Sequence, residues 1–362
     1  MTSVFVFLSG VTLLIVSAEK LIAHLVGAAS GLRVPLFLLA IVFTGIEFDD
    51  ITLGVALNLE DLSGVALGLV FGTALSFTGV VLALAAMLEP SKVDVPRDYV
   101  VLLAGAPLVM VVFTVTAPLT VTDGLVLLGL FVVFLAYVAA REIRRSVPVF
   151  RDEEVVEAAA VGGTGGGVPA SRAAETDVAD GGGAWADDEL ERQIVDDLPF
   201  ARPRELPGWA HLGLAALALA GLVVGAATTS FGTEGILSTY GLEGTVFGAT
   251  VVTAVLTLED LFLTVEPFRK GVPEIGIGNV IGSVVFSVTG KLGITLLAGG
   301  IVVGSDVVTW HLPSLIALTG FAAYCLSTGR LKRWHGCALL GLYAGYWVVS
   351  LVAFGGAPVE LD

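Results

Sequence analysis

The chain has 362 residues, of which 56% are hydrophobic and only 14% are charged, and its mean hydropathy is +0.92. Such a chain has too little polar surface to cover a soluble globule, so the composition indicates an integral membrane protein. The formal net charge of -16 argues against nucleic acid as a partner, because a phosphate-binding face needs clustered Lys and Arg.

Apolar segments, separated by charged residues, Pro and Gly, predict ten membrane-spanning helices. Each segment is close to the ~20 residues that a helix needs to cross the hydrocarbon core. The predicted fold is an all-α integral membrane protein, whose spans cover residues 3–27, 34–58, 63–88, 98–117, 122–141, 209–229, 244–266, 274–300, 307–328 and 334–355.

An acidic, Gly-rich segment divides the ten spans into two sets of five. Between Glu142 and Glu205 there are 15 Asp and Glu against 7 Arg, which is half of the chain's net negative charge. We interpret residues 1–141 and 208–362 as two five-helix repeats and residues 142–207 as the loop that joins them. Because five is an odd number, the second repeat enters the membrane upside down, which is the inverted-repeat plan of secondary transporters.

Basic residues lie beside alternate loops, and this pattern predicts the orientation of the chain. By the positive-inside rule, both termini are outside and the central loop is cytoplasmic in a multi-pass protein of the cell membrane, with lipid as a partner. Only Lys20 and Lys291 depart from the pattern, and both lie within predicted spans. The residues that set the orientation are Arg33, Lys92, Arg97, Arg141, Arg144, Arg145, Arg202, Arg204, Arg269, Lys270, Arg330, Lys332 and Arg333.

A short acidic motif recurs in the two halves. The sequence T-G-I-E-F-D-D lies in the second predicted span, and T-L-E-D-L lies in the seventh. A G-x-x-x-G-[ST] pattern follows both motifs at the same spacing, which makes a chance match improbable. With Asp50 aligned to Asp260, the alignment pairs Glu47 with Thr257, Asp49 with Glu259, and Thr73 with Ser283.

Carboxylates at this depth of a membrane need partners, since each costs at least ~2.5 kcal/mol on insertion scales. Glu47 and Asp50 are three residues apart and share one helix face, and a pseudo-twofold arrangement would bring Asp50 towards Asp260. Carboxylates together with hydroxyl and carbonyl oxygens make a site for a hard cation such as Ca²⁺. A structural alternative is that these acids cap a helix break or pair with Lys20 and Lys291.

Polar side chains near the acids could act as ligands. The hydroxyls of Thr73 and Ser283 could complete the oxygen shell of a cation, or they could satisfy carbonyls of their own helices, and Asn279 could supply an amide oxygen. Lys291 could stand beside the site as a tethered cation, or it could snorkel outward as a structural residue. The sequence does not decide between these roles.

These motifs resemble those of the cation/calcium exchanger superfamily, which includes sodium/calcium and proton/calcium exchangers. Its two α-repeats carry a G-T-S-L-P-E motif and a later G-N-x-x-G-S-N motif, and this chain keeps G-N-V-I-G-S at residues 278–283. The resemblance implies ten spans, outside termini, a cytoplasmic central loop, and the first and sixth spans sliding across a core. The motif glutamate falls on Asp50 and Asp260, the motif serine on Glu47 and Thr257, and the serine of the G-S element on Thr73 and Ser283.

Departures from the family motif affect the ion and not the fold. The family has proline where this chain has Asp49 and Glu259, and asparagine where it has Leu69. The added carboxylates bring negative charge that a cation or protons must offset. The coupling ion, Na⁺ or H⁺, is therefore open.

The function that we expect is export of Ca²⁺ in exchange for Na⁺ or H⁺ by alternating access, with inorganic cations as partners and no cofactor. The cation ligands expected are Asp50, Asp260, Glu47, Thr257, Thr73, Ser283, Asp49, Glu259 and Asn279. The alternatives are a divergent homologue that moves another cation, a non-transporting receptor or channel, and an intramembrane hydrolase. The chain is not expected to be an enzyme, since it contains neither GxGD nor HExxH.

Overall fold

The computed structural model describes residues 2–30, 47–93, 95–115, 118–142, 208–269 and 273–355. The described residues form ten helices and no β-strand beyond two isolated bridges, so the prediction of an all-α fold is confirmed. Residues 34–46 of the predicted second span and nearly all of the predicted loop 142–207 lie outside the described residues.

The ten described helices fall into the two halves of the chain. In the first half they are α1 (Thr2–Ser30), α2 (Phe48–Leu59), α3 (Ser63–Ser76, Phe77–Val81 and Leu82–Leu88), α4 (Arg97–Val115) and α5 (Val121–Glu142). In the second half they are α6 (Gly208–Tyr240), α7 (Gly244–Phe247, Gly248–Val252 and Thr253–Arg269), α8 (Pro273–Phe286, Ser287–Lys291 and Leu292–Leu297), α9 (Val307–His311 and Leu312–Ser327) and α10 (Arg333–Ala353). The middle segments of α3, α7 and α8 and the first segment of α9 are π-helical.

The two halves share one register. Four pairs of corresponding positions are 210 residues apart: the helix ends Ser30 and Tyr240 and Leu59 and Arg269, the π-helical starts Phe77 and Ser287, and the helix starts Arg97 and Val307. The same offset aligns Asp50 with Asp260. The prediction of two five-helix repeats is therefore confirmed.

Helices α1 and α6 pack against each other along their length in antiparallel directions. Gly10 of α1 lies against Thr229, and Gly232 of α6 lies against Phe7, so residues early in α1 meet residues late in α6. A Cβ atom at either glycine would be 2.5 Å from a backbone nitrogen of the other helix. This close packing continues beyond residue 229, which explains why α6 extends to Tyr240 and not only to the predicted end of the span.

Helices α3 and α7 also cross with their backbones in contact. A Cβ atom at Gly68 would overlap the carbonyl oxygen of Thr245, and one at Gly248 would overlap that of Val65. The glycines of the G-x-x-x-G pattern therefore serve close helix approach, as small residues do in membrane interfaces. The crossing joins the two halves beside the acidic motifs.

Buried apolar side chains form two separate clusters. The larger one joins α3, α4 and α5 to α7, α8, α9 and α10. The smaller one joins α1 and α6 to α2 and to faces of α3 and α7. Leu53 and Leu57 place α2 in the smaller cluster, whereas Phe286 and Leu292 place the middle of α8 in the larger one. The acidic start of α2 therefore lies between the two clusters.

Substitution of Gly68 by alanine tests the backbone crossing. We expect Gly68→Ala to destabilise the protein by about 1–3 kcal/mol or more, because the added methyl group has no space and the helices must separate. The measurement is thermal unfolding of the purified protein in detergent. Gly129→Ala is the control, since a Cβ atom at Gly129 meets nothing within 4 Å. Alanine is the better helix former, so the control should not lower the melting temperature. Equal melting temperatures for both variants would contradict the crossing.

Candidate cation site

A lysine and two carboxylates form a buried ion cluster where α2, α3 and α8 meet. Lys291 is fully buried, and its Nζ atom donates a hydrogen bond to Asp50 Oδ2. The same Nζ lies 2.7 Å from Glu47 Oε2 and donates to Thr73 Oγ1 at 2.9 Å. Lys291 therefore does not snorkel outward but pairs with the acids, as the structural alternative describes, and its place beside a transport site stays a prediction.

The carboxylates are positioned by the start of α2. Glu47 has an extended backbone (φ −80°, ψ 91°) and precedes the first helical residue, and its carbonyl oxygen accepts the first helical bond from Ile51 at 3.0 Å. Asp49 and Asp50 lie in the first turn, where the positive end of the helix dipole favours negative side chains. Glu47 is therefore an N-cap residue, and not part of the helix as the sequence suggests, although it still faces the same cluster as Asp50.

Thr73 of α3 completes the cluster. Its hydroxyl lies 2.9 Å from Asp50 Oδ2 and 2.9 Å from the carbonyl oxygen of Leu69. A hydroxyl has one hydrogen to donate, so it can serve only one of these acceptors at a time. Both predicted roles of Thr73, as a group beside the acids and as a donor to its own helix, are geometrically available.

Helix α8 carries Lys291 at the last position of its π-helical segment. Such segments occur frequently at functional sites, because they change the direction of a side chain within a continuous helix. Thr295 donates to the carbonyl oxygen of Lys291 at 2.9 Å. Asn58 of α2 donates to the carbonyl oxygens of Thr295 at 3.0 Å and Gly299 at 2.9 Å, which fixes α2 against the end of α8.

The predicted residues of the second half lie in α7 and α8. Thr257 is buried, and its hydroxyl is 2.9 Å from that of Ser76 in α3. Asn279 donates from its amide nitrogen to Thr264 at 3.0 Å, and so links α8 to α7. Ser283 is buried in α8, and Asp260 is partly buried in α7. The side chain of Glu259 lies outside the described residues.

The described part of the cluster carries a net charge of -1, with two carboxylates against one ammonium. Among the described side chains, no three His, Cys, Asp or Glu residues gather around one point. A cation held here would use the oxygens of Glu47, Asp50 and Thr73. Because the Lys291 ammonium contacts each of these oxygens, the cation would share them with that ammonium. Their role as ligands stays a prediction, as does that of Asp49, Asp260, Thr257, Ser283, Glu259 and Asn279.

Sequence reasoning missed one contact of this region and gave another only as an alternative. It named the pairing of the acids with Lys291 as the structural alternative to a cation site, and it did not find Ser76, whose hydroxyl joins α3 to Thr257. The signal for Lys291 was a charged residue inside an apolar span, which calls for a buried partner without saying which one. Ser76 carried no comparable signal, since serine is common where membrane helices pack closely.

Comparisons with known proteins agree on one family. The family model described as "Sodium/calcium exchanger protein" matches residues 2–140 and 210–352. "Putative antiporter CaxA" of Alkalimonas amylolytica is 25% identical over 350 residues, which cover 94% of this chain and 95% of that protein. "Sodium/calcium exchanger MaX1" of Methanosarcina acetivorans is 34% identical over 110 residues, which cover 30% of this chain and 31% of that protein.

Solved structures show the same fold. The sodium-calcium exchanger NCX_Mj, in a structure soaked with 2.5 mM Na⁺ and 0.1 mM Ca²⁺, superposes with a TM-score of 0.53 and 17% identity over 98% of this chain and 99% of that chain. In a structure soaked with 100 mM Na⁺ and 10 mM Sr²⁺, the same exchanger superposes with a TM-score of 0.53 and 18% identity over 97% and 98% of the two chains.

A double-mutant cycle tests the ion cluster. We expect Asp50→Asn and Lys291→Met each to destabilise the protein, because removing one partner of a buried ion pair typically costs about 3–5 kcal/mol. Asp50→Asn combined with Lys291→Met should be more stable than the sum of the single changes predicts, since it removes opposite charges together. Thermal unfolding in detergent measures the three variants. Strictly additive effects would show that the two side chains do not interact.

Proposed function

Because the chain belongs to the sodium/calcium exchanger family, we propose that it is a secondary-active antiporter that exports Ca²⁺ in exchange for Na⁺ or H⁺ by alternating access. Members of this family are multi-pass membrane transporters and not enzymes, and the chain is accordingly a cation antiporter. The transported ion, the coupling ion and the direction are the parts of the proposal that require measurement.

One observation carries the proposal: a buried group of oxygens, from Glu47, Asp50 and Thr73, surrounds a positive charge at the junction of the two halves. The same carboxylate and hydroxyl oxygens are the ligands that Ca²⁺ and Na⁺ use in proteins. The group lies in α2 and α3, whose counterparts in the second half are α7 and α8. With the ligands proposed in α7 and α8, a cation bound here would contact both repeats, as midplane sites of inverted-repeat transporters do.

Asp50 is the proposed primary ligand. It is 4% exposed, it contacts both Lys291 and Thr73, and it lies at the positive end of α2. The further ligands that we propose are Glu47, Thr73, Asp49, Asp260, Thr257, Ser283, Glu259 and Asn279. The proposed partners are membrane lipid and inorganic cations; nucleic acid and a resident cofactor are not among them.

The packing of α1 and α6 supports an alternating-access cycle. These two helices are held together by glycines along their length, and they share the smaller apolar cluster with α2 and α7. The larger cluster on the other side of the ion pair joins seven helices. We propose that the α1–α6 pair moves as a unit over the ends of α2 and α7, and so exposes the site to each side in turn.

The loop contacts support the proposed orientation. Lys92, between α3 and α4, forms a β-bridge with Arg330, between α9 and α10. Leu119 forms a second bridge with Ile301 at the other ends of α4 and α9. The basic loops therefore lie together at one end of this helix pair, which we propose is the cytoplasmic end, with the termini of the chain outside.

Calcium flux into everted membrane vesicles tests the proposed function. We expect a Na⁺ or H⁺ gradient to drive Ca²⁺ uptake, and Asp50→Asn to reduce it at least tenfold because the primary carboxylate is lost. Asp98→Asn is the matched control, since Asp98 pairs with Arg141 at 2.8 Å and with Tyr137 at 2.6 Å, outside the site. The readout is a calcium-sensitive dye.

Each gradient is applied alone in that experiment. Uptake with a pH gradient and no Na⁺ identifies protons as the coupling ion, and uptake with a Na⁺ gradient at equal pH identifies Na⁺. Absence of Ca²⁺ flux under both gradients overturns the proposal, and flux of another cation under the same conditions corrects the cargo. Full activity of Asp50→Asn would show that the primary ligand is a different residue.

Cysteine labelling tests the orientation. In a background with Cys325 and Cys337 replaced by alanine, Thr122→Cys and Lys92→Cys place exposed thiols at opposite ends of α4. We expect a membrane-impermeant maleimide to label Thr122→Cys in intact cells and Lys92→Cys only after permeabilisation. The reverse pattern would invert the orientation without affecting the fold.

A further inference from the structure

We propose that Lys291 is a tethered counter-cation, whose ammonium fills one cation position of the transport site and replaces one coupling ion in the exchange cycle. The inference rests on the proposed function, because it concerns how many ions the same site exchanges.

The contacts of the ammonium are those of a bound monovalent cation. Its nitrogen carries three donors and no acceptor, and oxygens of Glu47, Asp50 and Thr73 lie around it. The side chain is 0% exposed, so water does not solvate its charge and the three oxygens are its polar surroundings. Each of the three oxygens belongs to the predicted ligand set, and a second cation can use them only by sharing them with Lys291.

The position of Lys291 is not charged in the other repeat. In the register of the repeats, Lys291 corresponds to Val81 at the end of the equivalent π-helical segment of α3. The positive charge at this position therefore comes from α8, and the equivalent position of α3 is apolar.

That charge changes what the site can carry. A transporter moves its site through a medium of low dielectric, where uncompensated charge is costly, so each fixed charge in the site changes how much cation charge the site carries. The Lys291 ammonium offsets one of the two carboxylates that it contacts, Glu47 and Asp50. The coupling ions then need to supply one positive charge fewer. Each exchange cycle should therefore use one coupling ion fewer than it would without the lysine.

Charge-balanced substitutions test the inference. The readout is the charge moved per Ca²⁺, obtained from the membrane potential at which net flux stops in proteoliposomes with fixed ion gradients. Glu47→Gln removes one negative charge, and we expect it to lower the number of coupling ions by one. Glu47→Gln combined with Lys291→Met removes opposite charges, and we expect it to restore the wild-type number. Lys291→Arg keeps the charge and should also keep the wild-type number, whatever its rate.

The double variant decides the outcome. If Lys291 were only a structural clamp, the double variant would have the same number of coupling ions as Glu47→Gln alone, and the inference would be wrong. For a variant that folds without flux, the number of Na⁺ ions or protons that displace one ⁴⁵Ca²⁺ from the purified protein gives the same comparison. Failure of the proposed function is a different result, since the wild-type protein would then move no Ca²⁺ under either gradient.

Discussion

The structure depends on a buried ion cluster in which one ammonium pairs with two carboxylates from the opposite half of the chain. A charged residue at the centre of a membrane helix costs about 2.5–3.5 kcal/mol on insertion scales, so the acids of α2 and the lysine of α8 each need a buried partner. Packed together, the Lys291 ammonium lies against the carboxylates of Glu47 and Asp50 away from lipid. The cluster therefore makes the acidic motif compatible with a membrane and also ties the repeats together.

The short side chains of the cluster require that the helix backbones lie close together. Asp50 and Thr73 reach each other at 2.9 Å only because α2 and α3 are adjacent, and α3 is in turn held against α7 by glycines. Gly54 of α2 also lies against Thr295 of α8, where a Cβ atom would be 2.9 Å from the threonine hydroxyl. The site therefore requires small residues at the helix crossings, since larger residues there would separate the short polar side chains that form it.

The sequence alone predicted the fold in some detail because the signals that it used are local. Apolar length defined the spans, and an acidic doublet followed by a glycine pattern identified the repeat, which the shared register of the helices confirms. The N-cap position of Glu47 and the π-helical segments have no comparable local signal. The pairing of Lys291 with Asp50 depends on how residues 241 positions apart pack, and no pattern within either helix contains that information.

The contacts between the repeats make each half of the chain dependent on the other. Helix α1 packs on α6, α2 and α3 pack on α8 and α7, α4 packs on α9, and α5 packs on α8, so most large interfaces join one half to the other. A half-chain in a bilayer would leave the carboxylates of Glu47 and Asp50, or the ammonium of Lys291, facing lipid without a counter-charge. The repeat is therefore a unit of sequence and topology but not a folding domain. The two repeats depend on each other as the two subunits of an obligate dimer do.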